Sequence, residues 1–255
     1  MNKAAPFLFL ACFSTASLIS TNVSAAALHV YAGAGLREPV EKIVNQFEQQ
    51  TGHTVTVEYG GSGQILTRYR ITGQGDLFIP GSDRYISKLE KDGLVSASSK
   101  LVRHIPVIAI RKDKAASIHS VDELAATNLR LGLGDSKAMA LGRSGEKLLR
   151  TTCHYDDLMN KVVVRAATVK QLTLYLLNGD VDAAVIGRAS AWKARDKVIM
   201  LPNPEGAPEE TAAIALLKSS QHPDEAKLLM EKLTSAKGIQ AFTDAGFLPL
   251  KPISN

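Results

Sequence analysis

Apolar stretches rich in β-branched residues recur along the chain: "LHVYAG", "TVTVEY", "DLFIPG", "IPVIAI", "LRLGLG", "KVVVRA", "DAAVIG", "VIMLP" and "AAIALL". Most are bounded by glycine, and segments of helical period lie between them. After Pro39, which suits a first helical position, Val40, Ile43, Val44 and Phe47 fall on one face and Gly52 closes the helix. Similar amphipathic segments are predicted at Tyr85 to Leu94, Glu146 to Leu149, Leu172 to Leu177 and Ala226 to Leu233, the last opened by Pro223 in "HPDEAK". Strands alternating with helices argue for mostly parallel sheets covered on both faces, an α/β fold.

Two features divide this array into two lobes. "VRHIPVIAIRKD" is long and carries a proline in mid-run, which suits a segment passing between sheets better than a central strand. "LPNPEGAPEE" is a proline-rich connection that brings the chain back before "AAIALL". The expected division is a discontinuous first lobe, residues 27–106 with 209–255, and a second lobe, 107–208, with a cleft between them.

The first 25 residues, with Lys3 ahead of an apolar stretch from Phe7 and Val23-Ser24-Ala25 at the end, read as a secretory signal peptide. Periplasmic export is therefore expected. The formal charge of +5 becomes +4 once Lys3 leaves with the leader. Basic residues are spread out, without the dense runs of a nucleic-acid surface, so no nucleic-acid partner is expected. Cys12 also leaves, and Cys153, without a partner in the chain, is expected to be a buried thiol.

Five strand-to-helix entrances are unusually small or bare: "YAGAGLREP", "YGGSGQI", "AMALGRSGEK", "RAATVKQL" and "VIGRASA". In a parallel sheet these collect on one side. Each offers unpaired amides and the positive end of a helix dipole, which together suit an anion. Ser62 adds a hydroxyl, and it equally suits a helix N-cap. Arg37, Arg143 and Arg188 sit inside these entrances, either reaching a ligand or pairing with carboxylates.

The order "VYAGAGL", "TGHTVTVEYGGSGQI", "GDLFIPGSDRYISKLEKDGLV", "VRAATVKQLTLYLLNGDVDAAVIG" and "AFTDAGFLP" resembles the molybdate-binding branch of the periplasmic solute-binding proteins, across essentially the whole mature chain. That resemblance implies a type II periplasmic binding fold closing on a tetrahedral oxyanion, molybdate or tungstate. It also implies a monomer without cofactor or free metal cation, working with an inner-membrane ABC permease and its ATPase. Carried over by position, the family's contacts fall on Ser62, on Val169 and on Ala140 or Leu141; together with the bare entrances, the expected ligand-binding residues are Gly35, Gly61, Ser62, Ala140, Leu141, Val169 and Arg188, followed by Arg37, Arg143 and Gly187. Gly35 stands where the family usually has a serine, and Gly187 followed by Arg188 where a tyrosine is frequent. Two hydroxyl donors are thus missing, which leaves open a different oxyanion or an anionic chelate.

Competing functions find little support. "GGSGQ" around Ser62 and "GRSGE" around Ser144 both miss the Gly-x-Ser-x-Gly nucleophile motif, and no phosphate loop or His-Glu-x-x-His occurs. His29, His53, His104, His119, His154 and His222 never recur at ligand spacing, and His154 beside Cys153, Asp156 and Asp157 reads as a surface turn. No enzyme is expected. A ligand-dependent partner of a membrane sensor would use the same binding chemistry.

Overall fold

The computed structural model describes residues 25–251, so the leader lies outside the described residues but for Ala25. The chain opens with β1 (Ala27–Gly33), a 3-10 turn (Ala34–Leu36) and α1 (Arg37–Thr51). It continues through β2 (Thr54–Gly60), α2 (Ser62–Thr72), β3 (Leu77–Ile79), α3 (Arg84–Lys91) and β4 (Val95–His104). A second group follows: β5 (Pro106–Arg111), α4 (Val121–Ala125), β6 (Leu131–Gly134), α5 (Ala140–Arg150), α6 (Tyr155–Asn160), β7 (Val162–Ala166), α7 (Val169–Asn178), β8 (Ala183–Gly187), α8 (Arg188–Lys193) and β9 (Val198–Met200). Then β10 (Glu210–Leu217) returns to the first group, and α9 (Pro223–Thr234) and α10 (Ala236–Asp244) close the chain.

Two sheets of five strands result, in the orders β2-β1-β3-β10-β4 and β7-β6-β8-β5-β9. Each has one reversed strand: β10 is antiparallel to β3 and β4, and β5 to β8 and β9, while the remaining pairs are parallel. In both sheets the reversed strand is the one that arrives from the other lobe. The carboxyl ends of the parallel strands consequently face the same seam.

Alternation along β1 shows how one strand serves two cores. Val30 and Ala32 join a cluster with Val40, Ile43 and Phe47 of α1 and Leu229 and Phe242 of α9 and α10. Tyr31 points to the opposite face with Ile65, Tyr69, Phe78 and Leu89 under α2 and α3. The second sheet repeats this, with Leu133, Leu148 and Val185 on one face and Leu172, Leu176 and Ile186 on the other. Each such side chain, at or near zero exposure, contributes roughly 1.5–3 kcal/mol by leaving water, and that burial, rather than cross-linking, holds the lobes together.

The run "VRHIPVIAIRKD" does pass between the sheets, as two strands that break at Ile105, β4 in the first sheet and β5 in the second. Two local expectations are corrected. Pro39 lies in the first turn of α1 but not at its first position, because Arg37 begins the helix; Gly52 does close it, in the left-handed region at φ 73. Cys153 is exposed, since it sits in the turn between α5 and α6.

Candidate functional site

Four of the five bare entrances meet in one cavity of about 20 Å³ between the lobes, room for about one water molecule. The first lobe supplies Gly33, Gly35 and Leu36 ahead of α1, Gly61 and Ser62 at the start of α2, and Gly81 and His104. The second supplies Met139, Ala140 and Leu141 at the start of α5, and Val169 at the start of α7. The fifth entrance differs: α8 is a short helix of Arg188–Lys193, and none of its residues lines the cavity.

Local caps set these entrances. Ser62 is buried and is the first residue of α2, with Gly61 at the N-cap. Its Oγ accepts from the Gly81 amide at 3.0 Å, tying α2 to the loop after β3 and leaving the hydroxyl hydrogen to donate. At α7, Thr168 Oγ1 accepts from the Gln171 amide at 3.1 Å, which makes Val169 the first helical residue. At α5, the Asp135 carboxylate accepts from the amides of Lys137 (2.7 Å) and Ala138 (2.9 Å). Those bonds hold Asp135 below the ordinary carboxylate range and shape the loop that presents Ala138 to the first lobe. The first amides of α2, α5 and α7 have no acceptor within their own helices, and the dipoles of three helices from two lobes point at the same small volume.

The glycines of "YGGSG" serve the seam between lobes. A Cβ on Gly61 would lie 2.3 Å from the Ala138 carbonyl oxygen and 2.6 Å from that of Ala167. A Cβ on Gly63 would lie 2.4 Å from the carbonyl oxygen of Lys137. Without side chains there, the Gly63 amide reaches the Ala138 carbonyl at 3.0 Å. The Gly61 amide donates to Gln64 Oε1 at 2.9 Å. Gly35 is different: a Cβ there would rest 3.5 Å from the Val169 side chain, an ordinary contact.

None of the three entrance arginines lines the cavity. Arg37 donates to Glu41 at 2.7 Å and lies 3.8 Å over the Tyr59 ring, where burial, followed by Glu41, pushes the Tyr59 phenol up. Arg143 crosses the seam to donate to the Tyr85 hydroxyl at 2.9 Å. Arg188 donates to the Gly246 carbonyl at 2.6 Å and stacks on Trp192. Gly187 faces His104, with a Cβ position 2.9 Å from its Nε2.

His104 was not singled out by the sequence, because a lone histidine before Ile105-Pro106 carries no spacing signal. It is buried, lines the cavity, and sets Nδ1 3.2 Å from the Gly81 carbonyl oxygen. Burial lowers its pKa to about 4, more than the Gly81 bond raises it, so the ring is neutral at pH 7. Elsewhere, Asp122, Cys153 and His154 come within 4.8 Å of one another on the surface of the second lobe; none of them lines the cavity.

Comparison with known proteins bears on both fold and family. The model of the bacterial extracellular solute-binding protein family matches residues 28–248. A Haemophilus influenzae protein named only as a binding protein is 57% identical over 238 residues, 93% of this chain and 97% of that one. Among solved structures, the Azotobacter vinelandii periplasmic molybdate-binding protein superposes with a TM-score of 0.77 at 18% identity, covering 88% of this chain and all of that one. The sulfate-binding protein SubI of Mycobacterium tuberculosis gives 0.75 at 16%, with 89% and 88% covered. These two likenesses establish the two-lobed type II periplasmic binding fold. The family match over nearly all of the described residues settles the rest: the chain belongs to the bacterial extracellular solute-binding proteins, a family of binding proteins and not of enzymes.

Proposed function

We propose that this protein captures a tetrahedral oxyanion, molybdate or tungstate, in the interlobe cavity and delivers it from the periplasm to an inner-membrane ABC permease and its ATPase. The observation that carries the reading is the convergence of bare helix starts from both lobes on one buried cavity that, among the described residues, no Asp, Glu, Lys or Arg side chain lines. Such a site suits an anion with several equivalent oxygens, each taking a backbone donor.

In this reading Ser62 donates its hydroxyl, and the amides at Gly35, Ala140, Leu141 and Val169 donate from the helix starts. A dry enclosure strengthens each of those bonds relative to water. Residues 27–106 with 209–255 and residues 107–208 move as two bodies about the crossings at Ile105 and near residue 209. With room for about one water molecule, the cavity is too small for a five-atom anion, so the loaded form closes less far than this one. Affinity then depends on the gap between open and closed forms as well as on the contacts. The molybdate-binding relative and the hydroxyl-free Gly35 both bear on the cargo: the first favours molybdate, and the second makes backbone amides carry more of the binding.

Isothermal titration of the mature protein with molybdate, tungstate, sulfate, phosphate and chromate tests this. Tight one-to-one binding of molybdate or tungstate is expected. Absence of heat with all five would remove the oxyanion assignment.

A further inference from the structure

We propose that His104 is a ligand contact, and that the captured anion is held with one proton shared between its oxygen and Nε2 of this imidazole. The inference rests on the oxyanion reading above and names the group that balances the anion's charge.

His104 ends β4 at the crossing between lobes, and its ring meets both: Gly81 of the first on one side, Gly187 of the second on the other. A carbonyl oxygen can only accept, so the 3.2 Å contact with Gly81 places the ring hydrogen on Nδ1. Nε2 is then a bare lone pair, and the hydrogen bonds among the described residues engage Nδ1 alone. Beside an oxyanion, that lone pair would repel. Yet among the described residues His104 is the only titratable one lining the cavity.

The charged groups around the ring do not supply a substitute. Glu210 of β10 is its buried partner in the ladder with β4, and a carboxyl group cannot supply positive charge. Arg103 pairs with Glu209. Arg188 of α8 is engaged by Gly246, next to Phe247, whose ring lies 5.5 Å from the imidazole. Arg143 of α5 is engaged by Tyr85, and α2 meets the cavity with Gly61 and Ser62, neither charged. A buried anion therefore finds one group able to become positive. An opposite charge within about 4–6 Å favours the protonated ring, against the burial that keeps it neutral beforehand at about 4.

The balance is simple. One proton comes from solvent onto Nε2, no covalent bond of the ligand breaks, and the complex is one unit less negative than its parts. With the bound-state pKa raised above the free value of about 4, affinity is highest at low pH. It falls about tenfold per unit as pH rises toward the bound-state value.

Calorimetry of the mature protein with sodium molybdate and with sodium sulfate, which carry no proton between pH 6.5 and 8, tests this when run in buffers of different ionisation heat. Uptake of about one proton per anion at the lower end of that range is expected, with affinity weakening as pH rises. His104→Asn keeps a donor for Gly81 and deletes Nε2, so it should bind more weakly, with no proton uptake and a flat profile. The wild-type proton count stands by itself, should that variant fold poorly. Wild-type binding with no proton uptake and no pH dependence would overturn the role of His104 and leave the oxyanion reading intact. No binding of either anion, or of tungstate, phosphate or chromate, would overturn that reading and this one with it.

Discussion

Gly61→Ala should separate closure from folding. In the closed form the new methyl would sit 2.3 Å from one carbonyl oxygen and 2.6 Å from another, both in the second lobe. An ordinary contact of this kind lies near 3.4 Å, so the lobes must back off by about 1 Å. At φ −62 and ψ 145 the backbone suits alanine, so the open form accepts the methyl without strain. Two effects on stability nearly cancel. Alanine is the poorer N-cap by up to about 1 kcal/mol, and it lowers the entropy of the unfolded chain by about 0.4–1 kcal/mol. Closure loses more: overpacking costs about 1–3 kcal/mol, and the Gly63 to Ala138 bond adds about 1 kcal/mol. Because the loaded form closes less far than this one, that total of about 2–4 kcal/mol is an upper bound, and anion binding should weaken by at most roughly 30- to 1000-fold. Thermal denaturation without ligand should move little, while calorimetric titration with molybdate should show the loss and small-angle scattering a more open envelope. Unchanged affinity with an unchanged melting temperature would refute the seam argument.

Ser62→Ala leaves the buried Gly81 amide without its acceptor and the cavity without its hydroxyl; about 1–3 kcal/mol of stability and at least tenfold in affinity should go, read by denaturant unfolding and titration. Gly35→Ser has room for its Cβ against Val169 and restores a hydroxyl donor, so molybdate binding should tighten several-fold by titration. Arg37→Gln and Arg188→Gln should each leave affinity within about threefold at physiological salt, since neither side chain reaches the cavity and its field is screened; a hundredfold loss in either would place that guanidinium on the anion. Asp182 accepts from the amide, Nε and Nη2 of Arg130 at 3.0 Å, and Arg130 holds its carboxyl below the usual 3.8. The folded pKa being the lower, its stabilisation is present above pH 3.8 and is lost as pH falls through the folded value; the gap in unfolding free energy between wild type and Asp182→Asn, about 2 kcal/mol near neutrality, should shrink in acid titration below that point.

Much of the architecture could be read from the residues, because each apolar run feeds one face or both of a sheet and each bare turn opens a helix. The strand β4 escaped because "VSASSK" is small, polar and largely exposed at a sheet edge; only its pairing with β10 makes it a strand. The entrance arginines show another limit. Position beside a helix start says nothing about where a long side chain turns, and Glu41, Tyr85 and Gly246, two of them far along the chain, decided it. The glycines of "YGGSG" were legible as close backbone approach, but the approaching groups are carbonyls of the other lobe. His104 was least legible of all: its meaning lies in meeting Gly81 and Gly187, 23 residues before it and far after it.

Enclosure of an anion by helix starts of both lobes can be seen directly. Crystals of the mature protein grown with tungstate, measured at the tungsten absorption edge, test it most directly. A single strong anomalous peak bounded by Ser62, His104, Ala140 and Val169 is expected. A well-ordered closed protein with that peak elsewhere, or with none at saturating tungstate and molybdate, would contradict it.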